Sequence, residues 1–147
     1  LASKYRIPNL SEIFNNNYLM PTQRAKDMFR TEQSFVWAFK PSQRTTKNTH
    51  IVDRYLNAST IVKITRRDLV KQIASFYFMV KTKPLDHCVD QILKYNKIVD
   101  ELTPVDEHII YEDYTYTDTC GVLPQAKPDN YTQICNQVST LLGELNV

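Results

Sequence analysis

A chain of 147 residues, 42% hydrophobic and 23% charged, fits one folded domain and excludes intrinsic disorder, which needs low hydrophobicity and high net charge. Its two glycines, Gly121 and Gly143, stand alone, which excludes the glycine-rich loops that cradle phosphates in nucleotide-binding folds. The formal net charge of +2 hides a segregation: residues 1–84 carry 15 Lys/Arg and 5 Asp/Glu, and residues 85–147 carry 3 and 11.

In chain order, residues 1–8 read as an extended arm. Asn9 is placed to cap a short helix carrying Leu10, Ile13, Phe14 and Leu19, which Asn15-Asn16-Asn17 then breaks. Pro21 and Thr22 open a second element, in which Ala25, Met28, Phe29, Val36, Trp37 and Phe39 follow at roughly helical spacing until Pro41. Residues 40–48 form a polar loop, and a short helix over 47–57 puts Ile51, Val52, Tyr55 and Leu56 on one face. The β-branched run 59–64 suits a short strand. Thr65-Arg66-Arg67-Asp68 resembles a capping box that starts a helix over 66–82. Leu69, Ile73, Phe76, Tyr77 and Val80 line one side of that helix, and Val70, Ala74, Phe78 and Met79 make the others apolar too. A helix apolar nearly all round belongs at the centre of a core, where each large side chain contributes about 1.5–3 kcal/mol.

Asp86 caps the next helix, holding Val89, Ile92, Leu93, Val99 and Leu102, with Pro104 beyond its end. Residues 103–128 are rich in Tyr and Pro, and 108–118 alternate as a strand does. A lone strand leaves backbone groups unpaired, so this one needs a partner: the 59–64 strand or another chain. Asp129 or Asn130 caps a C-terminal amphipathic helix with the stripe Ile134, Val138, Leu141, Leu142 and Leu145, joined by Tyr131 and Cys135. The expected fold is mainly α (α+β): a single domain, 1–147, around the central helix.

Catalytic, cofactor and metal motifs are not found. His50, His87, Cys88, His108, Cys120 and Cys135 include no compact zinc-ligand pair. Cys88 adjoins His87, but neighbours on a helix point about 100° apart, so a buried, inert Cys88 is the expectation. The carboxylates Asp100, Glu101, Asp106, Glu107, Glu112, Asp113 and Asp118 lie in polar runs, where solvation is the usual fate. No run reaches the 18 apolar residues of a membrane span. Three cysteines at wide spacing suit a reducing compartment. Leu1 at the start fits a processed product, and scarce Gly and Ala beside abundant Asn, Lys, Ile and Tyr is a bias common in phages and large DNA viruses.

The segregated charge admits three readings. The halves complement each other within the fold, copies associate head to tail, or the basic half binds nucleic acid. Lys40, Arg44, Lys47, Lys63, Arg66, Arg67 and Lys71 would form that basic surface, with Arg66 and Arg67 at a helix start where backbone N–H groups also attract phosphate. Tyr111, Tyr114, Tyr116, Leu141 and Leu145 are the expected protein-partner residues. The stretch Ile51-Val52-Asp53-Arg54-Tyr55-Leu56 resembles the cyclin pattern of Val or Leu before Asp-Arg-Tyr/Phe-Leu. The apolar run from Leu69 to Lys83 sits where cyclins carry a helix ending in lysine, although Thr82-Lys83-Pro84 departs from the acidic residues that follow there. The resemblance covers Ile51 to Lys83 and implies a kinase-binding regulatory subunit. The leading expectation is a non-enzymatic structural or assembly protein, intracellular or in a virion, that contacts other subunits, self or hetero. Nucleic-acid binding and the cyclin-like role are the alternatives.

Overall fold

The computed structural model describes residues 6–14, 19–113 and 126–147. The chain divides into two compact units, Leu1–Thr60 and Ile61–Val147. Among the described residues there are five α-helices and two short parallel strands, a mainly helical α+β protein.

The first unit contains α1 (Gln23–Arg30) and α2 (Thr49–Asn57), with a 3-10 turn at Pro41–Gln43. Thr22 caps α1, its hydroxyl accepting from the Ala25 N–H at 3.4 Å. This helix stops at Arg30 and does not run on to Pro41 as its spacing suggests. The Gln33 N–H donates back to the Met28 carbonyl at 2.8 Å, and Glu32 takes a left-handed φ of 56°. Beyond this turn, Phe35, Trp37 and Phe39 alternate with the smaller Ser34, Val36 and Ala38, a period of two that suits an extended chain better than a helix. The segment pairs with the arm before it. The Val36 N–H donates to the Pro8 carbonyl at 2.8 Å, and the Leu10 and Ala38 N–H groups donate to the Val36 and Ser11 carbonyls at 2.9 Å each. Asn9 therefore starts no helix: it forms a bridge with Val36, and its Oδ1 accepts from the Ser11 N–H at 2.9 Å. An Asn side chain that bonds its own backbone two residues on favours a turn over a helix.

Ile13, Phe14, Ala25, Val52 and Tyr55 are the buried centre of this unit. Tyr55 gathers three aromatic neighbours: Phe29 stacked at 4.4 Å, Phe14 edge-on at 5.6 Å and Trp37 at 6.1 Å. The Trp37 indole, too large to leave its N–H bare in a core, donates to Ser59 Oγ at 3.0 Å. The 40–48 loop is pinned by two buried polar residues. Asn48 Oδ1 accepts from the Thr45 N–H at 2.7 Å, its Nδ2 donates to the Gln43 carbonyl at 2.8 Å, and Gln43 Oε1 accepts from the Lys40 N–H at 2.9 Å.

The second unit runs β1 (Val62–Thr65), α3 (Leu69–Val80), α4 (Leu85–Asp100), β2 (Glu107–Ile110), a 3-10 turn at Tyr111–Asp113, and α5 (Tyr131–Glu144). β1 and β2 pair in parallel, with Val62 opposite Glu107 and Thr65 opposite Ile110. Parallel neighbours need a long crossover, and the α3–α4 hairpin supplies it. The internal candidate is thus the partner of the later strand. β2 is shorter than the expected 108–118 strand: it gives way at Tyr111, and residues 114–118 lie outside the described residues. β1 likewise starts at Val62, because Ser59 still belongs to the end of α2, its hydroxyl donating to the Tyr55 carbonyl at 2.6 Å.

The helix expected over 66–82 occupies Leu69–Val80 and has a different cap. Thr65 ends β1, and Asp68 is the cap, its carboxylate accepting from the Lys71 N–H at 3.0 Å. Lys81 closes the helix in the left-handed conformation with φ 59°. α3 packs on both α4 and α5, which also pack on each other. Ile73, Ala74, Cys88, Val89, Ile92, Ile134, Val138 and Leu142 are the buried core. α3 is less enclosed than its composition suggests: only Ile73 and Ala74 are buried, on the sides that meet α4 and α5, and Met79 is 68% exposed. Gln72 and Asn96 join α3 to α4 by two side-chain amide bonds, Gln72 Nε2 to Asn96 Oδ1 at 3.0 Å and Asn96 Nδ2 to Gln72 Oε1 at 2.9 Å. On α5, Asn130 takes the cap position without a side-chain cap bond, and Ile134, Val138 and Leu142 form the inner stripe.

Candidate functional site

The most organised polar cluster lies where β1 passes into α3. Arg66 and Arg67 precede the Asp68 cap and are not in the first turn of the helix, which corrects the expected start. The backbone N–H groups of Arg67 and Asp68 point at one carboxylate, that of Glu112, with bonds of 2.9 and 3.1 Å. Arg66 Nε lies 3.6 Å from the same carboxylate, and its guanidinium sits 4.6 Å from the centre of the Tyr111 ring. Arg67 Nη2 donates to Asp113 Oδ2 at 2.7 Å, and this bond raises the Arg67 pKa above its ordinary value. The donors expected to attract phosphate thus hold Glu112 of the same unit. The backbone bond from Arg67 leads in lowering the Glu112 pKa to about 2, helped by the Asp68 N–H and the Arg66 charge.

A depressed carboxyl favours the fold above its ordinary value of 4.5, and that contribution is lost as pH falls through about 2. A carbon-detected NMR titration is expected to show Glu112 ionised down to that region. A midpoint at the ordinary value would contradict the bonding described here. Glu112→Gln should remove this part of the acid dependence.

The other basic residues behave similarly. Lys40 pairs with Glu12 at 2.8 Å, Arg44 with Asp53 at 3.1 Å, Lys63 with Asp100 at 3.4 Å and Lys71 with Asp68 at 3.4 Å. Lys47 is exposed on the 40–48 loop. The seven are divided between the units: Lys40, Arg44 and Lys47 belong to the first, and Lys63, Arg66, Arg67 and Lys71 to the second. For Lys63, Arg66 and Arg67 the partners come from beyond residue 85, so these three cations are met within the second unit by acids of the acidic half.

Of the expected partner-contact residues, Tyr111 is 41% exposed beneath Arg66, Leu141 is half-buried against the core, and Leu145 is 57% exposed. Tyr114 and Tyr116 lie outside the described residues. A surface not anticipated is one face of the two-stranded sheet. Val62, Ile64, Ile109 and the exposed Glu107 share it, and Ile64 is 57% exposed. Period two over Val62-Lys63-Ile64 carries that signal in the sequence.

Cys88 is buried in the core, and burial pushes its thiol above the ordinary value, the reverse of an activated nucleophile. Among the described residues no three His, Cys, Asp or Glu side chains converge as metal ligands, and no helix is long and apolar enough to cross a membrane. Cys120 and Asp118 lie outside the described residues. The depression lined by Arg66, Leu93, Asn96 and Asp100 is broad and open, without a buried carboxyl. No family model, curated protein or solved structure matches the chain. The two stretches that resemble the cyclin box fall in different units, with β1 between them.

Proposed function

We propose that the protein is a non-enzymatic assembly component that acts through contacts with other protein subunits. The observation that carries this reading is the small parallel sheet of the second unit. Parallel sheets are ordinarily covered on both faces, and a two-stranded sheet is marginal in water without cover. Here Ile64 stands 57% exposed on a face it shares with Val62, Ile109 and the exposed Glu107. A protein surface supplies the cover that Ile64 lacks among the described residues. The composition bias fits a viral or phage particle as the setting.

Light scattering after size-exclusion chromatography tests the reading. The expected result is an oligomer, or a stable complex with a protein partner, that Ile64→Lys weakens. A strict monomer at high concentration and low salt, with no protein partner, would overturn it.

The ion pairs argue against nucleic acid as the principal partner. Six of the seven candidate cations already face a carboxylate, and the seventh is Lys47. Titration with duplex and single-stranded DNA at 50 mM salt, a probe condition chosen because phosphate contacts are strongest at low salt, is expected to give at most weak binding. Arg67→Ala should loosen the Tyr111–Asp113 turn without changing that result, as hydrogen exchange would show. Tight binding lost steeply with salt would reverse the order of the two readings.

A further inference from the structure

The extended segment of the first unit offers a second docking element, and its backbone specifies what fits there. Val36 and Ala38 turn their N–H groups toward the 8–11 arm, and the Val36 carbonyl accepts from Leu10. In an extended chain successive residues turn these groups to opposite sides. The N–H and C=O groups of Phe35, Trp37 and Phe39 therefore lie on the other edge, and among the described residues none of them has a backbone partner. The side chains of these three residues pack on the Phe14–Tyr55 core, which anchors the segment.

Exposed edges are normally blunted by a charge, a proline or a bulge, because they template pairing with another chain. From Gln33 to Phe39 this edge carries none of these; the first charge and the first proline are Lys40 and Pro41. The ends differ in sign, with Glu32 before the segment and, after it, Lys40, which faces Glu12 of its own chain at 2.8 Å and stays half-exposed. Antiparallel pairing of two identical segments sets each acidic end beside the other's basic end, whereas parallel pairing sets like charges together. A two-fold axis through such a pair satisfies the same groups on both chains.

We propose that Phe35–Phe39 is the site at which a second copy of this chain adds antiparallel, forming a continuous sheet across a two-fold dimer. This deepens the assembly reading above and rests on it. Lys40 and Pro41 end the pairing after five residues, which favours a closed pair over a growing fibre. So short a seam buries less than a standard interface of roughly 1,600 Å², so the dimer is concentration-dependent.

The test uses the full chain. Residue-resolved hydrogen exchange in dilute and concentrated solution is expected to show protection of the Phe35, Trp37 and Phe39 amides rising with concentration. Unchanged protection would overturn the proposal. Phe35→Pro removes an outward N–H while keeping the extended backbone, and Phe35→Ala loses the ring but keeps that donor. The proline variant is expected to raise the dimer dissociation constant about tenfold or more over the alanine variant. Equal dissociation constants would sink this edge as the seam. A dimer unaffected by either change, or a monomer that still binds another protein, refutes the seam while leaving the assembly role intact.

Discussion

Phe14→Ala is expected to destabilise the first unit by about 3–5 kcal/mol, the range for deleting a fully buried phenyl ring. Phe14 has no exposed surface, and its ring meets Trp37 at 5.9 Å and Tyr55 at 5.6 Å. Removing it leaves the two larger rings facing a void that they cannot fill, because Trp37 is tethered to Ser59 and Tyr55 is stacked on Phe29. Trp37 is the only tryptophan, so denaturant unfolding followed by its fluorescence reports this unit directly. A loss below about 1 kcal/mol would show that the cluster collapses around the gap, and that the aromatic contacts are less restrictive than their geometry indicates.

The second large effect belongs to Ile73→Ala. Ile73 is fully buried, one of two buried residues of α3, in the core shared with α4 and α5. The loss expected for an aliphatic deletion at such a position is about 2–5 kcal/mol. The high end applies, since the void would open between three helices whose spacing is fixed elsewhere, by Val89 and Val138 among others. Far-UV circular dichroism during denaturation should show it, and hydrogen exchange should locate the loss in all three helices. Protection falling only in α3 would mean that the three do not unfold as one cooperative body. Met79→Ala, by contrast, should change little, because that side chain is 68% exposed.

Where the apolar spacing matched one helix period, the sequence was legible, although the caps were not: Asp86 lies in the first turn of α4, with Pro84 at the cap position, and Asn130 makes no side-chain cap bond. The helices around Leu69, Val89 and Ile134 are found where those patterns lie. The pairing of the 59–64 run with the 108–118 run was also legible, because a strand with unpaired backbone groups demands a partner and only one internal candidate existed. The stretch from Met28 to Phe39 misleads, since residues at positions 28, 29, 36, 37 and 39 satisfy helical spacing while 35, 37 and 39 satisfy period two. Tertiary context decides it: the arm at 8–11 offers backbone partners that a helix would waste. Thr65 and Asp68 compete for one cap, and pairing of Thr65 in β1 removes it from the contest. The cluster around Arg66 was half legible. Its cations stood out, but Glu112, over forty residues downstream, was one of many acids, and only the crossover that returns β2 beside β1 brings it to them.

The twin amides of Gln72 and Asn96 act as a ruler laid between two helices. Each completes its bonds only when the other stands level with it, so sliding α3 along α4 by a single turn would strand both in a half-dry seam. Oily side chains tolerate such slippage; a matched pair of carboxamides does not. The two residues thereby choose one alignment of α3 on α4 from several that leucine and isoleucine alone would accept.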